Sequence, residues 1–355
     1  MIIFALVKTT IMAKSKHKTG NRTSLKIIGG LTFIGLLIVY FFFFSSMGRT
    51  SDKEYVYIDE DDNIDSVYQK LEPISTKHSL WTFKQLAKLT SYKDHIRTGR
   101  YQISSSGALQ TFRHFKNGSQ APVSLTLQSV RTKDDLAKSV SEKLMFSKEA
   151  LLDSLNSSET CKKYGYTPET VMALFIPNTY EFYWNTSIEK FLEKMSEENK
   201  KFWSFERTQK ANATGFNKEE IMTLASIVDE ETDNEGEMPR IAGMYINRLR
   251  TDMPLQADPT VKFALGKFEA HRIYHKWLSY DSPYNTYKYH GLPPGPIRIP
   301  SVAAIEAVLN FVHHDYLYMC AKEDFSGTHN FAKTYEEHQE NAKRYAKALT
   351  DRGIK

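Results

Sequence analysis

Cysteine is scarce: only Cys161 and Cys320 occur in 355 residues. Two thiols this far apart form no disulfide framework, though in an oxidising compartment they could pair, and no cysteine spacing suits a metal. The body of the chain must therefore be held by its apolar core. Acid is missing from the first fifty residues, which carry Lys8, Lys14, Lys16, Lys18, Arg22, Lys26 and Arg49. Those are seven of the 47 basic residues, which leaves 40 against 42 acids in the remainder. The formal +5 belongs to the leader, and a near-neutral body removes the charge argument for nucleic-acid binding. Internal repeats are lacking, as are low-complexity tracts outside one apolar run. What is present is a composition 41% apolar and 13% aromatic, enough to bury a large core and to hold more than one domain.

The apolar run is "IIGGLTFIGLLIVYFFFFSSMG", residues 27–48, with no charge in it. At about 1.5 Å per residue, it spans a hydrocarbon core of roughly 30 Å. A cleaved signal peptide has a shorter apolar region and a small-residue cleavage site, which "FFFFSSMG" does not offer. An uncleaved anchor is expected, with a basic tail over 1–26 and an acidic, solvated spacer over 49–63. The flanking charges place the N-terminus in the cytoplasm and the body outside. "MIIFALVKTTI" looks out of place before "MAKSKHKTG", so Met12 is an alternative start to Met1.

The remainder reads as α+β. "EYVYI" and "GRYQIS" read as strands around two helices, with a helix "GALQTFRHFKNG" after them that ends on Gly118 and a strand "VSLTLQSV" beyond it. A small module is expected over 64–127, its strand starting as early as 54, and a larger domain over 128–355. Within the latter, 132–165 is helical, "ALFIPNTYEFYWNTS" reads as an aromatic loop, and a second α+β region runs from Asn217 to the end.

"NKEEIMTLASIVDEET" begins with Asn217 as an N-cap and acids in the first turn. At about 100° per residue, Ile221, Leu224, Ala225, Ile227 and Val228 share one face. Glu231 falls inside that face, Glu230 opposite it with Thr223 and Ser226, and Asp229 on its border. A carboxyl on an apolar face is partly desolvated, which raises its pKa and prepares it as a general acid. The competing reading is a helix-end acid paired with Arg240 or Arg248. "MPRIAGMYINRL" reads as a second helix, with Arg240, Tyr245, Asn247 and Arg248 as its polar members. "MPLQADPTV" reads as a turn with Gln256 and Asp258. "SPYNTYKYHGLPPGPIRIPS" is a loop stiffened by five of the chain's 12 prolines. It carries Tyr284, Asn285, Thr286 and Tyr287, whose aromatic faces and polar groups suit a sugar chain.

"LASIVDEET", "INRL", "LQADPTV", "SPYNTY", "GLPPGPI" and "YLYMCAKEDFSGTHNF" occur in the order found in the YceG-like family, the membrane-anchored endolytic murein transglycosylases, which the chain resembles. The resemblance is good over roughly 170–355, with its motif core at 217–335, and weaker over 54–127, where the family carries a LysM-like subdomain. It implies cleavage of the β-1,4 bond between N-acetylmuramic acid and N-acetylglucosamine inside glycan strands, giving 1,6-anhydro ends. The family's catalytic glutamate precedes Thr, which is Glu231 here. Asp229 stands where the family usually has Glu, Asn178 where it commonly has Asp, and Cys320 where it has an apolar strand residue. The resemblance further implies substrate contacts from Asn247, Arg248, Gln256, Asp258, Tyr284, Asn285, Thr286, Tyr287, Leu292, Pro293, Pro294 and His329. Asp258, ahead of Pro259, also reads as a turn-capping residue. No cofactor or metal is expected. The partners expected are peptidoglycan strands, the membrane and peptidoglycan synthases.

Two other classes compete. A muramidase on the same bond needs a second carboxylate, for which Asp258 is the candidate. A glycan-binding scaffold needs no acid on an apolar face. A metal enzyme is disfavoured because "HRIYH" pairs His271 and His275 without the Glu or third ligand of a zinc site. His313 and His314 read as a loop, and Glu231→Gln is expected to abolish strand cleavage where Glu230→Gln does little to it.

Overall fold

The computed structural model describes residues 22–50, 52–103, 106–270 and 272–353. Lys8, Met12, Lys14, Lys16, Lys18 and His271 lie outside the described residues. The chain forms two compact units, Met1–Ala121 and Pro122–Lys355.

The first unit opens with helix α1 (Arg22–Phe44), whose stretch Leu25–Phe44 is long and apolar enough to cross a membrane and is exposed from Leu25 to Phe41, with Phe42 and Phe43 half-buried. The helix stops short of the expected anchor end. Residues 45–48 leave it because Ser46 and Gly48 bridge to Gly107 and Ser75, and Met47 is wholly buried. Strand β1 (Glu54–Ile58), helices α2 (Ile64–Leu71) and α3 (Lys77–Leu89), strand β2 (Gly99–Ile103) and helix α4 (Ala108–Asn117) follow. β1 and β2 are antiparallel, Glu54 opposite Ile103 and Ile58 opposite Gly99. Asn63 caps α2 in a capping box with Ser66. α4 stops at Gly118, whose φ of 70° suits glycine. Val56, Ile58, Val67, Leu71, Phe83, Tyr101, Ile103 and Phe115 fill the core. Each large side chain buried there contributes roughly 1.5–3 kcal/mol. The acidic stretch is not the free spacer expected: Asp59 and Asp62 grip Lys70 at 2.8 and 2.5 Å, and β1 is built from it.

In the second unit, β3 (Val123–Leu127) pairs antiparallel with β4 (Asn178–Phe182), Val123 opposite Phe182. "VSLTL" thus belongs here rather than to the small module, and "NTYEF" is a strand rather than a loop. Its alternation is plain in the fold, with Tyr180 and Phe182 buried and Thr179 and Glu181 exposed. Helices α5 (Lys133–Ser141), α6 (Lys148–Asn156), α7 (Ser158–Lys163) and α8 (Ile188–Phe202) build one core with these strands around Leu125, Leu136, Leu151, Phe175 and Phe191.

Helices α9 (Phe205–Thr214), α10 (Lys218–Glu231), α11 (Met238–Arg250), α12 (Asp258–Leu265), α13 (His275–Leu278) and α14 (Val302–Leu309) come next. The hairpin β5 (Tyr318–Ala321) and β6 (His329–Ala332), Tyr318 opposite Ala332, and helix α15 (Tyr335–Asp351) complete the unit. α10 is the axis. It starts at a capping box of Asn217 with Glu220 and is buried from Ile221 to Asp229. Even its polar face is covered: Ser226 donates to the Thr223 carbonyl (2.7 Å) and accepts the Ile297 amide (3.0 Å). The proline-rich loop is thereby laid along α10. At Gly295 it passes so close to the Glu169 backbone that a Cβ would sit 2.0 Å from that carbonyl oxygen.

Candidate active site

Three acids end α10, and each has a different fate. Asp229 accepts from the Ser301 hydroxyl (2.6 Å) and amide (3.1 Å) and from Ser129 (3.2 Å), with the Arg298 guanidinium at 3.2 Å. Glu230 is clasped by Arg131 (2.7 and 3.1 Å) and by Arg298 (2.9 Å). Both are consumed by the frame that joins α10 to residues 129–131 and 298–301. Glu231 is left for the cleft. Neither Arg240 nor Arg248 binds it; Tyr245 donates its hydroxyl to Oε1 at 2.6 Å.

Among the described residues no ion pair holds Glu231. It keeps some accessible surface at the cavity floor while protein crowds it on its other sides. Burial raises its pKa to about 7; the Tyr245 hydrogen bond opposes that shift, the nearby Asp258 adds to it, and His329 and Lys262 oppose it weakly. Burial and the neighbouring carboxyl drive the Tyr245 phenol well above its usual range, so it keeps its proton and has it to donate to Glu231. With Oε1 taken, Oε2 is the oxygen free to carry the transferable proton.

The cavity in front of Glu231 has a volume of about 230 Å³. Met244, Tyr245 and Arg248, on one face of α11, form a wall. Gln256, Asp258 and Tyr287 form the second, and Met319, Cys320, Ala321 and His329 of the hairpin the third. A further cavity of about 500 Å³, lined by the clasped Glu230 and by Thr232, Asp233, Asn234, Ser326 and Gly327, also reaches Glu231. The acid thus stands where two clefts meet.

The expected contact residues divide into two groups. Arg248, Gln256, Asp258, Tyr287 and His329 line the cavity with Glu231. Arg248 is buried and spends its guanidinium on the carbonyls of Leu317 (2.6 Å), Leu255 (2.7 Å) and Pro254 (3.3 Å), and burial lowers its pKa. Gln256 has a φ of 49°, strained for a non-glycine residue, and its amide donates to the Thr286 carbonyl (3.1 Å). Asp258 does not cap the turn; it opens α12 and accepts the Tyr287 hydroxyl at 2.6 Å.

The other group lies outside that cavity. Asn247 donates to the carbonyls of His314 (2.7 Å) and Tyr316 (3.1 Å). Asn285 is fully buried, donating to Leu278 (2.9 Å) and Tyr280 (2.8 Å) and accepting the Tyr287 amide (3.0 Å). Thr286 is buried and accepts the Ala257 amide (3.0 Å). Asn285 and Thr286 hold the Gln256 turn and Tyr287 in place. Tyr284 stacks obliquely on Phe263, ring centres 4.9 Å apart, in a separate hollow. Leu292 packs on the core, Pro293 is buried and Pro294 exposed.

Two site residues escaped the sequence reading. Tyr245 was visible only as a polar member of its helix, although its spacing from Arg248 puts both on one face. Glu237, buried at the start of α11, accepts the His329 amide (2.8 Å), and its second oxygen meets His329 Nδ1 at 2.8 Å. A carboxylate only accepts, so Nδ1 carries the proton there. Nothing local in the sequence pairs residues this far apart. Cys161 and Cys320 are separate free thiols, and burial raises the pKa of each.

This is a mixed helix-and-sheet protein in which a desolvated acid, Glu231, outside any ion pair among the described residues, lines a polar cleft. The chain belongs to the YceG-like family, whose model matches residues 56–344. It is 36% identical over 178 residues to the endolytic murein transglycosylase of Bacillus subtilis (strain 168), covering 50% of this chain and 48% of that one. It is 29% identical over 326 residues to the endolytic murein transglycosylase of Streptococcus pneumoniae serotype 2 (strain D39 / NCTC 7466), covering 82% of this chain and 58% of that one. The chain thus spans about half the length of the curated relatives it matches. A solved YceG-like protein of Listeria monocytogenes is 28% identical, with a TM-score of 0.53 over 82% of this chain and 99% of the other.

Proposed function

We propose that this chain is an endolytic murein lytic transglycosylase, with Glu231 as its acid and then its base. The observation that carries the reading is Glu231 itself: a carboxyl with a pKa of about 7, free of cations and aimed into a cleft. At neutral pH a good share of the enzyme holds the proton that the first step needs. Oε2 protonates the oxygen bridging N-acetylmuramic acid to N-acetylglucosamine, and the bond to C1 breaks. The carboxylate so formed takes the proton from the muramoyl C6 hydroxyl as that oxygen bonds to C1. A 1,6-anhydro ring results and Glu231 is protonated again. Water is not consumed, so a second catalytic carboxylate is not required.

Two cavities meeting at Glu231 let a strand continue on both sides of the bond, as internal cleavage requires. Gln256, Tyr287 and His329 are the substrate contacts we favour, because they face that space. Asn247, Asn285 and Thr286 act through the loops they hold. α1 serves as the anchor, with the N-terminus cytoplasmic and the body outside, close to the machinery that polymerises glycan. The strand–helix–helix–strand order from β1 to β2 supports the LysM-like reading of the small module. The test is cleavage of isolated glycan strands: folded Glu231→Gln should yield none. Equal cleavage by the variant removes the assignment.

A further inference from the structure

The anchor helix does not enter the small module through a flexible tether; it is welded to it. The Phe41 ring stacks on His78 of α3 with centres 4.3 Å apart, and Ser45 Oγ meets His78 Nε2 at 2.7 Å. Phe42 meets Trp81 of the same helix at 5.5 Å. Beyond the helix, Met47 donates its amide to the Ser106 carbonyl and accepts that of Thr76, both at 2.9 Å. Arg49 donates to the carbonyls of Ser75 (2.8 Å) and Glu72 (2.9 Å). Wherever α1 leaves a bilayer, α3 is held against its end.

The exposed side of α3 suits that place. Lys77, Trp81, Lys84 and Lys88, at spacings of four, three and four, form one stripe, and all are exposed. The helix contains no acid. Trp81 is 55% exposed and Leu89, on its flank, 78%. A tryptophan amid lysines is the side-chain set that settles at a membrane interface, the ring among headgroups and the ammoniums against anionic lipid. A solvated face would account for the lysines alone; Trp81, packed on Phe42 and still 55% exposed, adds an apolar ring at the end of the anchor.

We propose that the Lys77–Trp81–Lys84–Lys88 face of α3 is a docking surface for anionic phospholipid headgroups, holding the small module down on the bilayer. This rests on the anchoring role of α1. The test is the full chain reconstituted into vesicles of phosphatidylglycerol or of phosphatidylcholine, each with a fraction of lipid brominated high on the acyl chain. Trp81 is one of four tryptophans, so quenching is compared with Trp81→Phe. The expected result is quenching that Trp81→Phe loses, that is stronger in phosphatidylglycerol, and that Lys84→Glu with Lys88→Glu reduces. Co-flotation with equal quenching in wild type and Trp81→Phe overturns the docking surface while leaving the anchor intact. Quenching of Trp81 that is equal in both lipids overturns its charge selectivity. Failure to float with either vesicle overturns the anchor, and the docking surface with it.

Discussion

Glu231 is set apart from its two neighbours by what the rest of the unit does with them. Arg298 and Arg131 neutralise Glu230, and Asp229 is absorbed by Ser301, Ser129 and Arg298. Glu231 faces the cleft with only a phenol to steady it. Its folded pKa is raised above the unfolded value, so the stabilisation from holding its proton is complete below about pH 4.5 and lost as pH rises through about 7. Two outcomes follow. Strand cleavage should fall as pH passes about 7 and the acid loses its proton, which a pH–rate profile will record. Glu231→Gln should raise the melting temperature above pH 7 and hardly change it at pH 4, the gain being of order 3 kcal/mol at most. Tyr245→Phe removes a hydrogen bond that lowers the Glu231 pKa. The alkaline limb of the profile should therefore move upward, with a lower maximum rate because the carboxyl is no longer held.

At the scale of elements, α10 carries the site because its whole circumference is packed. The helical wheel singles out Glu231 from its apolar face, and that side chain lines the cleft, yet the wheel leaves the opposite face open. That face is covered by a loop arriving some seventy residues later, and periodicity carries no information about such a partner. The same limit hid the Arg131–Glu230–Arg298 clasp, so Glu230→Gln, which is expected to do little to cleavage, should still cost stability. Arg298→Ala should cost more, about 3–5 kcal/mol in chemical denaturation, because it leaves Asp229 buried without its cation. An unchanged midpoint would show that the clasp is ornamental. Strand β4 was missed for a different reason: its aromatic-rich segment reads as a loop, and its partner β3 lies more than fifty residues earlier. Gln256, Asp258 and Tyr287, which line the cleft, were legible as candidates from a polar turn and a proline-stiffened aromatic loop in matched segments of the family. Asn285 looked the same in sequence, and only its buried carbonyl partners reveal a scaffold role.

For the whole molecule, the anchor and the small module form one piece, and Met47 belongs to the module's core. A chain beginning at Arg49 should therefore be less stable in its first unit than one beginning at Ser45, by about 2–5 kcal/mol, the range for emptying a buried methionine site. Thermal unfolding of the two will show it, and equal melting would return residues 45–48 to the anchor. The central claim concerns chemistry. It is tested most directly by mass analysis of the products formed when the body of the protein, from Ser45 onward, meets isolated peptidoglycan, with Glu231→Gln alongside. The account predicts fragments one water lighter than hydrolysis products, absent from the variant. Hydrated ends would contradict it and turn attention to Asp258, and anhydro ends made equally well by Glu231→Gln would contradict the choice of acid.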